Sequence, residues 1–243
     1  MTSTSTSTGG SPLSPTARTT VTRGRNRAVV DRAALHALLA DALVAHLGVV
    51  LDGHPLVLSA AYAFDPAGPD RDGTLYLHGS VAARWLRASG AATVCVTVTQ
   101  LDGLVVGRSA FHHSMNYRSA VVIGLARPVV DPAEKDRALA MVVDHMLPER
   151  SATLRASTRK ELAATAVLAV SLHEASVKER AGGPGDEPED VAAGTWGGHI
   201  PLRVVAGAPV PDEDARGAVP PDVTARAVRM APGGPAASRP GAR

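Results

Sequence analysis

The segment Thr93-Val-Cys-Val-Thr-Val-Thr99 constrains the fold more than any other part of the chain, because β-branched and hydroxyl residues dominate it. It predicts a β-strand. Further apolar segments predict strands at residues 49–51, 56–64, 74–78, 105–110, 117–130 and 166–172. Asp52-Gly53 and Asp102-Gly103 separate two pairs of these segments, and Asp-Gly pairs favour tight hairpin turns. The sequence therefore predicts mainly antiparallel strands.

Three helices are predicted around these strands. Asp31 can cap a helix with a helically spaced apolar stripe, which we expect to end at Gly48. The pair Asp131-Pro132 places a cap and a first-turn proline before a helix that runs to about residue 146. A short helix is expected from Gly79-Ser80 through residue 87. The predicted fold class is thus mainly β with flanking helices, arranged as a barrel or a strongly curled sheet.

The two ends of the chain have a different composition. Residues 1–25 are rich in Ser, Thr, Gly, Pro and Arg, and residues 206–243 are rich in Pro, Gly and Ala. Such segments bury too little apolar surface to offset their conformational entropy. We therefore predict two disordered tails around one folded domain at residues 26–205, and we expect removal of residues 1–22 and 210–243 to leave folding intact.

Charge and cysteine content exclude several classes of protein. The formal net charge is +2, which gives no basic field for nucleic acid. Cys95 is the single cysteine, so the chain has neither an internal disulfide nor a cysteine-based metal cluster. No secretory signal or membrane-spanning apolar run is present in the sequence. We expect a cytoplasmic protein that does not contact a membrane.

The segment Leu75-Tyr-Leu-His-Gly-Ser80, followed by Arg84, combines backbone amides, a hydroxyl and a guanidinium. These groups suit a phosphate monoester. The same residues also suit an ordinary glycine turn in which Ser80 caps the helix. Spacing alone does not decide between the two.

A second polar segment, residues 108–119, connects two apolar strands. Its side chains could hydrogen-bond a heteroaromatic ring, since binding groups gather on loops held by a rigid scaffold. A solvated hairpin loop is the alternative.

These two segments, with Pro55-Leu-Val-Leu-Ser-Ala-Ala-Tyr62, Glu174-Ala-Ser-Val-Lys178 and Trp196-Gly-Gly-His-Ile-Pro-Leu202, resemble blocks of a known family. The chain is similar, from about residue 26 to 202, to flavin-nucleotide-binding proteins of the pyridoxamine 5′-phosphate oxidase-like superfamily. Nitroimidazole-resistance reductases belong to the same branch.

The resemblance implies a homodimer of FMN-binding split β-barrels with FMN at the subunit interface. It places one flavin-contacting strand at Leu56, Val57, Leu58 and Ser59. It places the ribityl phosphate end, or the side of the ring, at His78, Gly79, Ser80 and Arg84. A second flavin-contacting strand is implied at Asn116, Tyr117, Arg118 and Ser119.

Chemical roles are assigned to two of these residues. Arg118 is a candidate for the positive charge that stabilises reduced flavin, and a solvated arginine is the alternative. His78 is the candidate catalytic residue, as proton donor or substrate-orienting group, because histidine titrates near neutral pH. A structural hydrogen bond to the backbone is the alternative for His78.

Other site chemistries fit poorly. His112 and His113 are neighbours that point to opposite faces of a strand, so no metal site is predicted. The sequence has no glycine-rich dinucleotide motif or Walker loop, and Gly107-Arg-Ser-Ala-Phe111 lacks the second glycine of a hydrolase elbow.

Two functions follow from the resemblance. The first is an FMN-dependent oxidoreductase that reduces a small nitroaromatic or quinone-like acceptor, with NAD(P)H as electron donor. The second is a non-catalytic flavin or haem carrier or sensor on the same barrel.

Overall fold

The computed structural model describes residues 11–232. Within that range eleven strands and six helices follow one another along the chain. The strands are β1 Ala28–Val29, β2 Ala45–Leu51, β3 His54–Ala60, β4 Tyr62–Asp65, β5 Thr74–Ser80, β6 Thr93–Val106, β7 Ser114–Leu125, β8 Arg127–Pro128, β9 Thr165–Ser171, β10 Ala175–Arg180 and β11 Gly198–Pro201. The helices are α1 Arg32–Asp41, α2 Arg84–Ser89, α3 Pro132–Met146, α4 Arg159–Ala164, α5 Pro188–Ala192 and α6 Pro221–Arg229. None of the described helices is both long enough and apolar enough to cross a membrane.

The strands form two antiparallel sheets, which confirms the predicted fold class. The large sheet has seven strands in the order β1-β10-β7-β6-β2-β3, and β11 pairs with β6 beside β2. The small sheet has four strands in the order β4-β5-β9-β8. Two long apolar segments that we predicted as single strands each contribute to both sheets, because the chain passes from one sheet to the other at Ala61 and at Ala126.

The main core lies between the two sheets and is closed by α1. Its fully buried side chains include Leu47 of β2, Val96 of β6, Leu77 of β5 and Val170 of β9. A second, smaller cluster lies on the other side of the small sheet, where Tyr76 packs with α3. The small sheet is therefore covered on both faces.

The helix caps predicted from the sequence are present. The Asp31 carboxylate accepts from the Ala33 N–H at 2.9 Å, and the Asp131 carboxylate accepts from the Glu134 N–H at 2.9 Å. The first helix ends at Asp41, however, and the prediction that it ends at Gly48 is wrong. Gly48 lies inside β2, whose alternation of buried and exposed residues identifies a strand.

The two predicted Asp-Gly turns have different outcomes. Asp52 and Gly53 both have positive φ and form the β2–β3 hairpin turn. Asp102 and Gly103 instead lie within the continuous strand β6, at a shift in register opposite β7. A Cβ on Gly103 would lie 2.9 Å from the Ile200 carbonyl oxygen, so the glycine allows β11 to approach. The chain reverses after Gly107 instead, through residues 107–113.

The N-terminal segment differs from the predicted tail over the residues that the structure describes. Leu13 is only 4% exposed and belongs to the main core. The Ser11 hydroxyl donates to the Asp72 carboxylate, and the Thr16 hydroxyl donates to the Glu174 carboxylate at 2.6 Å. One buried leucine and two carboxylate partners hold a segment that composition alone predicts to be disordered. Residues 1–10 lie outside the described part.

The C-terminal segment carries α6, which composition did not predict. None of its residues is buried, and Asp222 of α6 forms an ion pair with Arg150 at 3.3 Å. The Ala206 N–H donates to the Met230 carbonyl oxygen, so the segment folds back on itself. Residues 233–243 of the predicted tail lie outside the described part.

Candidate functional site

The outer face of the large sheet, which we call the open face, carries four of the residues predicted to contact flavin: Val57, Ser59, Tyr117 and Ser119. Cross-strand partners share a face, so the register places the side chains of Ser59, His46, Thr97, Val121 and Ser176 in one row. These five side chains are exposed or half-buried. The row crosses the sheet from β3 to β10.

A second row lies beside the first, two residues further along β6. It consists of Thr99, Ser119 and Lys178, and the hydroxyls of Thr99 and Ser119 lie 3.2 Å apart, within hydrogen-bond distance. Of the hydroxyls in both rows, we predicted only Ser59 and Ser119. The alternation of Thr and Val in β6 was the signal that could have identified Thr97 and Thr99 as outward residues.

The four predicted residues of β3 divide between two faces of the sheet. Leu56 packs against the main core, and Leu58 pairs with buried Leu47. Val57 is 66% exposed and Ser59 is exposed, both on the open face. Only the outward pair could contact a ligand through side chains, since Leu56 and Leu58 support the strand from inside.

A shallow apolar groove lies at the β2–β3 end of the open face. It has a volume of about 280 Å³, and Gly48, Val50, Pro55, Val57, Cys95 and Ile123 contribute to its lining. A Cβ on Gly48 would lie 3.4 Å from the Cys95 carbonyl oxygen. The missing side chain at Gly48 therefore leaves room over the backbone of β6.

The predicted phosphate segment has a different local structure from the one expected. Gly79 and Ser80 are the last residues of β5, and α2 begins only at Arg84, so the prediction of a helix opening at Gly79-Ser80 is wrong. A Cβ on Gly79 would lie 2.7 Å from Leu86 Cδ1, so the glycine lets α2 pack on the strand. The Ser80 Oγ accepts from the Ala82 N–H at 3.2 Å and shapes the turn.

Arg84 lies beside the β2–β3 turn at one end of the groove. Its guanidinium contacts the Asp52 carboxylate at 2.5 Å, and both side chains are more than half exposed. An exposed pair of this kind contributes little to stability. The guanidinium therefore remains available to a phosphate at the groove end.

His78 is the predicted catalytic residue. Its Nδ1 is buried and has no hydrogen-bond partner among residues 11–232. Burial lowers the pKa of His78, so the neutral imidazole is favoured. A neutral imidazole is a weak proton donor, but it is a good hydrogen-bond acceptor and metal ligand.

Arg118 is held by two carboxylates within the chain. It donates to Asp102 at 3.0 and 3.1 Å and to Asp41 at 2.7 Å. Burial opposes the charge, but the hydrogen bonds and charges of Asp102 and Asp41 outweigh it and raise the pKa of Arg118 above its usual value. The guanidinium keeps its proton, and its charge is more than balanced by its own neighbours.

The other residues of the second predicted strand also divide between two faces. Asn116 is buried, donates to the Gly182 carbonyl oxygen at 3.0 Å and accepts from Arg180 at 2.6 Å. Tyr117 pairs with Leu101 on the open face, next to Ser119. Outward Ser59 and Ser119 thus lie on one face, whereas His78 lies in the small sheet.

Comparison with known proteins places these features in a family. The sequence profile described as pyridoxamine 5′-phosphate oxidase matches residues 31–179. No curated protein matches the chain significantly.

Two solved structures resemble this one closely over most of both chains. The flavocytochrome Anf3 from Azotobacter vinelandii is 36% identical, with a TM-score of 0.80 over 88% of this chain and 98% of that one. The FAD and heme binding protein from Mycobacterium smegmatis is 39% identical, with a TM-score of 0.75 over 82% and 96% of the two chains.

A putative 5-nitroimidazole antibiotic resistance protein from Bacteroides thetaiotaomicron shares the fold. It is 21% identical, with a TM-score of 0.50 over 62% of this chain and 85% of that one. These matches confirm the resemblance inferred from the sequence blocks, and the chain belongs to the pyridoxamine 5′-phosphate oxidase family of flavin-binding split barrels.

Proposed function

We propose that the protein binds a flavin nucleotide on the open face and transfers electrons through it to a small electrophilic acceptor. The observation that carries this proposal is the combination of an apolar groove and two rows of hydroxyls on one exposed sheet face. A flavin ring is apolar at its dimethylbenzene edge and polar at its pyrimidine edge. The groove fits the first edge, and the hydroxyl rows fit the second.

The phosphate end of FMN is assigned to Arg84 and Ser80. Arg84 lies at the groove end and has only one exposed carboxylate partner, so it can donate charge-assisted hydrogen bonds to a phosphate. Both FMN and FAD carry a phosphate at this position. We propose FMN from the sequence blocks, whereas two of the relatives described above, one named a flavocytochrome and the other an FAD and heme binding protein, favour including FAD in every test.

The bound flavin would supply the hydride and electron chemistry. The residues of the chain would bind and orient it: the outward hydroxyls would donate or accept at the pyrimidine edge, and Val57 and Gly48 would lie against the apolar edge. His78 pairs with Val167 in the small sheet, so within one subunit it does not lie on the open face. NAD(P)H is the proposed electron donor, and a nitroaromatic or quinone-like compound is the proposed acceptor.

A second candidate function is a flavocytochrome that holds both flavin and haem. Two relatives, at 36% and 39% identity, are named as proteins with these groups. The chemistry of His78 would suit a haem iron, since an uncharged imidazole nitrogen without another partner can bind iron. In this case His78 would hold the iron rather than orient a substrate.

We propose that the working unit is a homodimer. Val50, Val57 and Leu125 are 67%, 66% and 66% exposed on the open face. Three large apolar side chains on one sheet face are typical of a surface that a second subunit covers. A cytoplasmic setting stays a prediction from the single cysteine.

The experiment that tests the proposal is the absorption spectrum of the purified protein, followed by reconstitution with FMN, FAD and haem. A flavin spectrum with NAD(P)H oxidation that accelerates on addition of an acceptor supports the first function. A Soret band that disappears in His78→Ala supports the second. A colourless protein that binds none of the three groups would contradict both.

Sedimentation of the flavin-loaded protein tests the homodimer separately. We expect a dimer at micromolar concentration, and Leu125→Asp, on the open face outside the groove, should shift it toward monomer because a charge would be buried at the contact. A wild-type monomer with bound flavin would contradict the shared interface.

A further inference from the structure

A group of cations lies at the β1–β10 edge of the open face, opposite Arg84. Gly24 has a left-handed φ of 65° and precedes a single 3-10 turn at Arg25–Arg27. A Cβ on Gly24 would lie 3.8 Å from Arg27 Cδ and 3.9 Å from Lys178 Nζ. The two long side chains thus approach the same point above the glycine, and Arg25 follows directly.

These cations have no carboxylate partner in the part of the chain that the structure describes. Neither Arg25, Arg27 nor Lys178 forms an ion pair within residues 11–232. Glu174, the residue before β10, is engaged by Arg18 and Thr16. Glu179 follows Lys178 directly and therefore points to the opposite face of β10. Like charges held together without a counterion repel one another. Binding of an anion at this edge would relieve that repulsion.

The position of the cations is fixed by the fold of the N-terminal segment. Leu13 enters the core, and the Ser14 N–H donates to the Ala175 carbonyl oxygen at 2.7 Å. After the Arg25–Arg27 turn, Ala28 pairs with Lys178. A segment rich in Ser, Thr and Arg is thus ordered at a place where it adds two arginines to the edge of the open face.

The cations continue the second hydroxyl row. Lys178 pairs with Ser119, and Ser119 pairs with Thr99. Arg84 lies beside the other edge, and β3 and β10 are separated by four strand spacings, or roughly 19 Å. One phosphate cannot contact both edges. Arg84 and the cations beside Lys178 would therefore bind different phosphates.

We propose that Arg27 and Lys178, with neighbouring Arg25, form a second anion site, which binds the phosphate groups of a reduced nicotinamide dinucleotide lying on the open face. The identity of the ligand as a nucleotide rests on the proposed flavin function. The existence of an anion site rests on the unpaired cations alone. The ligand is a separate molecule from the flavin, because the two phosphates of FAD are bonded to each other and the first of them is assigned to Arg84. A reduced nicotinamide dinucleotide, the proposed electron donor, carries the phosphates that this site requires.

The test uses full-length wild type, Arg27→Gln and Lys178→Gln, with Arg71→Gln as a control of equal charge at an exposed arginine on the β4–β5 loop. The dissociation constants of FAD, FMN, riboflavin, NADPH and inorganic pyrophosphate are measured by calorimetry. Loss of one charge-assisted contact should weaken the binding of a ligand that carries the phosphate by about ten-fold. Circular dichroism of each variant verifies the fold.

The flavins and the nicotinamide dinucleotide give different patterns. Weaker FAD binding with unchanged NADPH binding would overturn the proposal, because the cations would then serve the flavin. Weaker NADPH binding with unchanged flavin binding assigns it to the electron donor. Unchanged affinities for FAD, NADPH and pyrophosphate in both variants would overturn the proposal.

Failure of the proposed function is recognised separately. If wild type binds no flavin, the flavin proposal fails, and the pyrophosphate and NADPH measurements still decide the anion site. Pyrophosphate binding that is weakened in Lys178→Gln and retained in Arg71→Gln would then support it. Absence of pyrophosphate and NADPH binding to wild type would overturn it.

Discussion

The two sheets share a core but differ on their outer faces. On the small sheet, Val167 is 3% exposed and packs in a cluster with Tyr76 and residues of α3. On the large sheet, Val57 occupies a similar outward position and is 66% exposed. Both residues are valines on antiparallel strands, so strand chemistry does not distinguish the two faces. What differs is whether this chain supplies the covering layer, and the face left uncovered is the one available for a cofactor and a partner.

The largest effect is expected from breaking the contact that ties the N-terminal segment to the core beside the open face. Leu13→Ala should lower the free energy of unfolding by about 2–5 kcal/mol, because it removes a buried side chain and leaves a cavity. Denaturant unfolding of the apo-protein measures this. Leu154→Ala is the control, since Leu154 is 48% exposed. If Leu13→Ala lowers the free energy of unfolding as little as Leu154→Ala does, the N-terminal segment is dispensable, as its composition predicted.

The second effect concerns the phosphate end of the open face. Arg84→Ala should weaken FMN binding by roughly ten-fold to a hundred-fold, since a charge-assisted contact contributes about 1.5–3 kcal/mol. Riboflavin has no phosphate, so it should bind wild type and variant equally in a fluorescence titration. Arg87→Ala, an exposed arginine later in α2, provides the control. Equal losses for riboflavin and FMN would assign Arg84 to the fold instead.

The third effect compares the two faces directly. Val167→Ala should lower the free energy of unfolding by about 2 kcal/mol, because it removes buried methyl groups under α3. Val57→Ala should lower it by less than about 0.5 kcal/mol in the unliganded monomer, since its side chain is mostly in solvent. Similar losses at both positions would show that the open face is covered in the unliganded protein.

The smallest effect is a dependence of stability on pH. Burial lowers the pKa of His36, His78 and His145, and it is the largest cause of the shift in each. The unfolded chain therefore binds protons more readily than the folded chain as the pH falls through about 6.5, the usual histidine value, and stability decreases there. Urea unfolding at neutral and mildly acidic pH measures the slope. A ligand that binds the neutral imidazole of His78 should lower its pKa further and so increase this dependence, and a flat profile would contradict the burial of the three imidazoles.

The fold could be predicted from sequence where local signals are strong. Asp131-Pro132 predicted the start of α3, and Asp52-Gly53 predicted the β2–β3 turn, because each residue acts within its own backbone neighbourhood. Asp102-Gly103 has the same composition, but the approach of β11 and the bond from Arg118 to Asp102 determine its conformation. Those partners are distant in sequence, so a local pattern could not reveal them.

The candidate site was predicted only in part for the same reason. Sequence blocks identified the strands, and strand alternation could have separated Val57 and Ser59 from Leu56 and Leu58. Nothing local indicated that Arg118 would be engaged by Asp41, which lies on α1. Composition also favoured disorder for residues 1–25, including Arg25, since it could not reveal that Leu13 enters the core. Tertiary partners decide which charged residues remain available to a ligand.

The affinity of Gly48→Val for FMN and FAD tests most directly whether flavin binds the open face. Valine is favourable on a strand, and its Cβ would meet β6 at an ordinary contact distance, so stability should be retained while the groove is filled. Gly207→Val, at an exposed glycine with open space around it, is the control. The account predicts that Gly48→Val loses at least about ten-fold in flavin affinity, with Gly207→Val like wild type. Full flavin affinity in a folded Gly48→Val protein would contradict it.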